Sequence, residues 1–136
     1  MKQKFSSIDK NVLLYIVNFK NDISETRTDL SPETEYLQVS CKKLKTSDTF
    51  RPHKHLILER KTLTTHESWV IIKGRVKAKL YDIDNSFYSE EILNEGDCLV
   101  SFSAGHCFEV LEEDTLLYEF KNGPYMGVEK DKEFIR

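Results

Sequence analysis

The sequence predicts an all-β domain of short antiparallel strands, on three observations. Apolar and polar side chains alternate with a period of two through most of the chain. Turn-forming Gly, Asn, Asp and Ser recur at roughly 8 to 12-residue spacing. No stretch of ten or more residues repeats its apolar positions at the 3.6-residue period of a helix. Strands joined without crossover helices close into an antiparallel sandwich or barrel. The 136 residues suit one domain, read as an N-terminal strand and loop extension (1–35), a barrel (36–126) and a tail (127–136).

Each element follows from local composition. Val12 to Phe19 is rich in β-branched and aromatic residues and reads as a strand. Residues 20–34 have loop composition, with a short turn of helix expected after Ser31-Pro32. Tyr36 to Leu44 sets Leu37, Val39 and Cys41 against Gln38, Ser40 and Lys42, a half-buried strand. Phe50 to Leu58 is expected as another. Trp69 to Lys73 ends at Gly74, and Glu67 opens that strand. Val76 to Ile83 and Phe87 to Leu93 are joined by the turn Asp82-Ile83-Asp84-Asn85-Ser86. After a second turn at Asn94-Glu95-Gly96-Asp97 come Cys98 to Phe102, Phe108 to Leu111 and Leu116 to Lys121. The segment from Gly127 is polar, a short helix or tail.

Charge and cysteine content narrow the partners. Twenty basic residues against 23 acidic ones leave a net charge of −3, and the densest basic stretch is only Lys42-Lys43-Leu44-Lys45. No nucleic-acid partner is expected. The apolar run Val12–Val17 is far shorter than the roughly 20 residues that span a bilayer, and no signal-peptide pattern opens the chain. Cys41, Cys98 and Cys107 form no CxxC motif and no even framework. A reducing, cytoplasmic setting without membrane attachment is therefore expected.

The chemistry concentrates in a few residues. His53-Lys54-His55 puts two imidazoles on one face of a strand, a ready chelate for a transition metal. Glu67 shares its face with Trp69 and Ile71, which favour burial, and a buried carboxylate is costly unless paired or bound to metal. His66 points the other way and reads as a surface or supporting histidine. His106 follows Ser103-Ala104-Gly105 beyond a buried strand. Three imidazoles and one carboxylate suit one divalent ion: Fe, Mn, Ni, Co or Zn. Arg51 and Arg60 flank this group as candidate contacts for an anionic substrate, against the plainer reading of solvated charges. Trp69, Phe102 and Phe108 read first as core residues, with Trp69 kept among the substrate contacts. Glu119 and Lys121 share a face with Leu117 and either line the cavity or pair on the outside.

His53-x-His55 … Glu67-x6-Gly74 resembles the first motif of the cupins, and Gly96-Asp97 … Ser103-Ala104-Gly105-His106 resembles the second. The chain departs from the pattern in two places. Eleven residues separate His55 from Glu67, and Phe102 stands where proline is common. The long Leu56–His66 insertion leaves Glu59 as a rival for the carboxylate position. Tyr118-Glu119-Phe120-Lys121-Asn122-Gly123-Pro124-Tyr125, with Asp131-Lys132-Glu133-Phe134, resembles the tail of the WbuC-like small cupins, found in surface-polysaccharide and nucleotide-sugar contexts.

The resemblance, covering roughly residues 50–134, implies a single double-stranded β-helix (a jelly-roll barrel) with its metal at the mouth on His53, His55, Glu67 and His106. It implies an enzyme acting on a sugar or nucleotide-sugar, by isomerase, epimerase, oxygenase or other metal-assisted chemistry. Glu59, Glu67 and Tyr125 are candidates for proton transfer. The alternative is a non-catalytic module that binds a sugar or acid with a structural or ligand-orienting metal. A third reading is a metal-free barrel whose histidines are relics. A homodimer is expected, with Val12–Phe19 pairing against a second chain because exposed strands are usually covered.

Overall fold

The computed structural model describes all residues, 1–136, and the fold is all-β. Ten strands form: β1 (Lys2–Phe5), β2 (Leu13–Asn18), β3 (Thr28–Asp29), β4 (Ser40–Cys41), β5 (Glu67–Lys73), β6 (Arg75–Tyr81), β7 (Phe87–Asn94), β8 (Cys98–Ser101), β9 (His106–Val110) and β10 (Leu116–Lys121). The one α-helix, α1, is Val128–Asp131, and a single 3-10 turn covers Lys20–Asp22. No helix is long and apolar enough to cross a membrane.

The strands make a five-stranded antiparallel sheet in the order β1-β2-β8-β5-β10, a three-stranded sheet in the order β7-β6-β9, and the small β3-β4 pair. Period-two alternation sorts their side chains. Tyr15, Val17, Leu99, Trp69 and Ile71 of the large sheet pack against Val76, Ala78, Leu80 and Leu93 of the smaller sheet, making the main core. On the opposite face of the large sheet, Ile16, Cys98, Val100 and Phe102 pack with Leu30, and Leu37, Val39 and Cys41 lie over them. The β3-β4 layer is therefore a cover for the outer face.

Turns follow their residues. Gly74 and Gly96 adopt φ of 80° and 85°, the left-handed region open to glycine. A β-carbon on Gly74 would collide with the Thr115 hydroxyl, so even a residue that tolerated the dihedral would not fit. Asp82 caps its own turn. Buried, it accepts hydrogen bonds from the Ser6 and Ser7 hydroxyls and from the Ser7 and Ile83 backbone N–H groups.

Four expectations need correction. The strand expected over Tyr36–Leu44 shortens to Ser40–Cys41; the alternating half-burial is present, but only two residues find a partner. Phe50–Leu58 forms no strand. All its residues are exposed, residues 49–63 make no backbone–backbone hydrogen bond, and Pro52 lacks a donor. The turn of helix expected after Ser31-Pro32 is a single hydrogen-bonded turn, the Glu35 N–H donating to the Pro32 carbonyl at 3.0 Å, and the one 3-10 helix of the loop lies at Lys20–Asp22. Finally, β2 has β1 on one side and β8 on the other. It offers no free edge, and the reason for expecting a second chain along Val12–Phe19 is removed.

Candidate functional site

One cross-strand row organises the candidate site. Register pairs Tyr15 with Ser101, Ser101 with Glu67, and Glu67 with Lys121, across β2, β8, β5 and β10. All four belong to the inward face, because each lies two residues from a core position or pairs with one that does. The next row is Val17, Leu99, Trp69 and Glu119. His106 reaches the first row from the other sheet, at the start of β9 opposite Leu80 of β6.

Glu67 is the centre of the row. Its Oε1 accepts the Trp69 indole N–H at 2.6 Å and lies 3.2 Å from His106 Nε2. A carboxylate only accepts, so His106 donates from Nε2. His106 Nδ1 is 3.0 Å from the Ser101 hydroxyl, which itself donates to the Ala104 carbonyl at 3.3 Å. The ring also stacks edge-on against Trp69 with centroids 4.9 Å apart. Glu67 Oε2 pairs with Lys121 Nζ at 3.0 Å, and Lys121 reaches Glu119 Oε1 at 2.8 Å.

Burial would push the Glu67 carboxyl upward, but hydrogen bonds from His106, Lys121 and Trp69 outweigh it and hold the group well below the usual carboxylate range. Burial likewise works against the Lys121 ammonium, and the two carboxylates overcome it and raise the group above the ordinary lysine value. The site is thus a fixed anion, a fixed cation and an oriented imidazole.

Two of the four expected ligands are together here, and the other two are not. His53 and His55 lie in the exposed 49–63 segment with ring centroids 5.7 Å apart. No three His, Cys, Asp or Glu side chains converge on one point. By type, one carboxylate and three imidazoles are donors that a divalent ion accepts, but the structure does not bring them into one set. They are held as two pairs. Glu67, not Glu59, is the carboxylate beside His106; Glu59 is exposed in the same segment as His53.

The remaining candidates divide in the same way. Glu119 and Lys121 face inward beside Glu67, as one of the two readings of the sequence held. Arg51 and Arg60 are exposed in the 49–63 segment, and Tyr125 is exposed beyond β10. None of these three has a hydrogen bond to Glu67 or His106. Trp69 is corrected from substrate contact to support: it is buried, and its N–H is spent on Glu67. His66, expected on the surface or in support, is buried on the outer face between Tyr36 and Phe102. Its Nδ1 has no hydrogen-bond partner, and burial lowers its pKa.

Three residues went unnoticed in the sequence. Ser101 and Tyr15 share the inward alternation of their strands, which was a usable signal. Asn122 had none. Its amide accepts the His66 N–H at 2.6 Å and donates to the Thr64 carbonyl at 3.1 Å, clamping the chain just before Glu67 to the end of β10.

The site also stands at an opening. β9 and β10 are edge strands of their sheets. Phe108 and Val110 face inward opposite Ala78 and Val76, which are fully buried, yet they are 39% and 55% exposed. The sandwich is unclosed along this side. No family model matches the chain, and no curated protein or solved structure matches it.

Proposed function

We propose that the chain is a metal-binding cupin that acts on a small sugar-like ligand, as an enzyme of sugar or nucleotide-sugar metabolism. The observation that carries this reading is the meeting of Glu67 and His106, from opposite sheets, at the open side of the sandwich. Two of the residues in the cupin-like motifs, remote in sequence, come within 3.2 Å.

His53, His55, Glu67 and His106 would hold the ion. A bound divalent metal supplies a Lewis acid for a substrate carbonyl or hydroxyl. The chain's own groups prepare for it. Trp69 anchors one oxygen of Glu67, Ser101 orients His106, and Lys121 neutralises the carboxylate in the absence of another cation. The open side supplies the means of joining the two pairs. The chain enters Glu67 beside His106, and β9 runs away from His106. A segment laid on the free edge of β9 while running toward Glu67 is therefore antiparallel to it, as edge addition favours. With His55 opposite His106, the odd-numbered residues His53 and His55 face inward.

The expected outcome is about one metal ion per chain in protein purified without chelator or nickel resin, read by elemental analysis. Glu67→Gln and His106→Ala lose the ion, and Glu59→Gln keeps it. Metal-free wild type, or loss on Glu59→Gln with retention in Glu67→Gln, refutes the assignment. One observation favours the binding-module alternative: Glu59 and Tyr125, two of the three residues expected to move protons, make no hydrogen bond to the pair. Turnover of no sugar or nucleotide-sugar by metal-loaded protein that still binds one decides for it.

A further inference from the structure

We infer that residues Lys132–Arg136 form a movable strap across the end of the sandwich at which Glu67 and His106 meet, and that a small molecule approaching the pair from that end enters by lifting it; the inference needs no metal and stands apart from that reading. The strap is fastened at two points. At one, the Asp131 carboxylate at the end of α1 accepts the Thr65 hydroxyl at 2.5 Å. At the other, Ile135 packs on Gly105 so closely that a β-carbon there would collide with Ile135 Cδ1. Thr65 lies two residues before Glu67, and Gly105 directly precedes His106. The strap therefore joins the two backbones whose side chains make the 3.2 Å contact between the sheets. From Asp131 to Ile135 the chain reaches at most about 14 Å, so the crossing is direct.

Little holds the strap down. Residues 133–136 make no backbone–backbone hydrogen bond, and Phe134 is 78% exposed. A cleft lined by Asn85 and residues 133–136 separates its outer half from the β6–β7 turn. Segments with few buried contacts and few hydrogen bonds open at the least cost, and the lids of binding sites are drawn from them. The seat beneath is fixed by contrast. Tyr15, fully buried, holds the Gly105 carbonyl through its hydroxyl at 2.5 Å. The seat is also shaped for this one side chain. Gly105 does not adopt the left-handed φ that calls for glycine, and the Tyr81 β-carbon would stand at 3.6 Å from an added β-carbon, an ordinary contact. Ile135 alone demands the missing side chain at Gly105.

The test moves one methyl group. Gly105→Ala places a methyl where Ile135 Cδ1 lies, and Ile135→Val removes that same atom from the strap. The readout is acrylamide quenching of Trp69, the sole tryptophan, whose ring stacks edge-on against His106. Gly105→Ala is expected to raise the quenching constant roughly twofold or more at an unchanged urea midpoint. Gly105→Ala combined with Ile135→Val is expected to return it to the wild-type value. Ile135→Asp, which leaves Gly105 untouched, raises the constant in the same way and decides alone if Gly105→Ala does not fold. Unchanged quenching in Gly105→Ala or in Ile135→Asp overturns the inference. So does a rise that Ile135→Val fails to reverse, which places the effect in Gly105 itself, and so does a rise matched by a lowered urea midpoint, which is loss of the fold. None of these outcomes depends on the metal content of the protein.

Discussion

The two long sides of the sandwich are finished differently. On the β1 side, side chains lace the sheets together. Lys2 and Lys4 of the large sheet pair with Glu91 of β7 at 3.0 and 2.8 Å, Lys4 reaches the Ser89 hydroxyl at 3.1 Å, and Lys4 lies over the Tyr88 ring. Just beyond, Ser6 and Ser7 grip Asp82. On the β9–β10 side the gap is bridged by His106, which reaches Glu67 and Ser101, and by Trp69 packing edge-on against His106 and Phe108, while inward-facing Phe108 and Val110 still meet solvent. The laced side is tied by ion pairs and hydrogen bonds between the sheets; the unlaced side holds the imidazole, the carboxylates and the ammonium of the candidate site. The lacing and the candidate site thus lie on opposite edges of one core.

Three experiments break or sharpen this contrast. The largest effect is expected from closing the open side covalently. In the antiparallel arrangement proposed for the 49–63 segment, Lys54 lies opposite Cys107 on the outer face. Lys54→Cys in a Cys41→Ser background is then expected to form an intramolecular disulfide with the exposed Cys107. It would close a loop of about fifty residues and stabilise the chain by roughly 4 kcal/mol, read as a raised denaturation midpoint lost on reduction. A cross-linked dimer instead places the segment on a second copy, and no cross-link removes the closure.

Opening the laced side comes next. Asp82→Ala strands two hydroxyls and two backbone donors and is expected to cost about 2–4 kcal/mol in urea unfolding. Burial raises this carboxyl, but the Ser6, Ser7 and Ile83 donors more than offset it and hold it far below the usual range. A depressed native pKa contributes stability above the unfolded value of about 3.9, lost as pH falls through the native value. Wild type should therefore lose stability below about pH 4 by a term that Asp82→Ala lacks. A loss under about 1 kcal/mol would show that the lacing holds little.

The smallest effect tests a further polar link between the sheets near the site, beside the Glu67–His106 contact. The Tyr15 hydroxyl lies 2.7 Å from the Tyr81 carbonyl and 2.5 Å from that of Gly105, and it accepts the Tyr81 N–H at 3.2 Å. Tyr15→Phe is expected to cost about 1–2 kcal/mol. It should also loosen Gly105-His106, seen as faster amide exchange at His106. Unchanged exchange there would separate Tyr15 from the site.

The strands β5 to β10 were legible within about two residues, since each is a short run rich in apolar and β-branched residues bounded by a Gly, Asn or Asp turn, and β6 alternates clearly. The placing of Glu67, Trp69 and Lys121 on inward faces was legible for the same reason. β1 was not: Lys2–Phe5 is short and mostly exposed, and its lysines earn their place through Glu91, a partner invisible to local pattern. Phe50–Leu58 fails in the opposite sense. Its composition permits a strand, but a strand needs an edge to pair with, and pairing is a property of the whole sheet. His66 was read to the correct face and the wrong depth, because the outer face carries a second layer from residues 30–41. The Glu67–Lys121 pair depends on the β5–β10 register, which no spacing in the sequence encodes.

The Asn122 clamp has a consequence for how His53 and His55 meet any partner at all. With the chain pinned at Thr64 and His66, eight residues lie between Thr64 and His55, a reach of at most about 30 Å. Both imidazoles are therefore confined to a small sphere centred beside Glu67 and act there at an effective concentration in the millimolar range, whatever the protein concentration. Each doubling of the tether would dilute them at a cost of only about 0.6 kcal/mol. If the four residues hold an ion as proposed, the length of the insertion sets how readily the two pairs meet, and it can change by several residues without touching a donor atom.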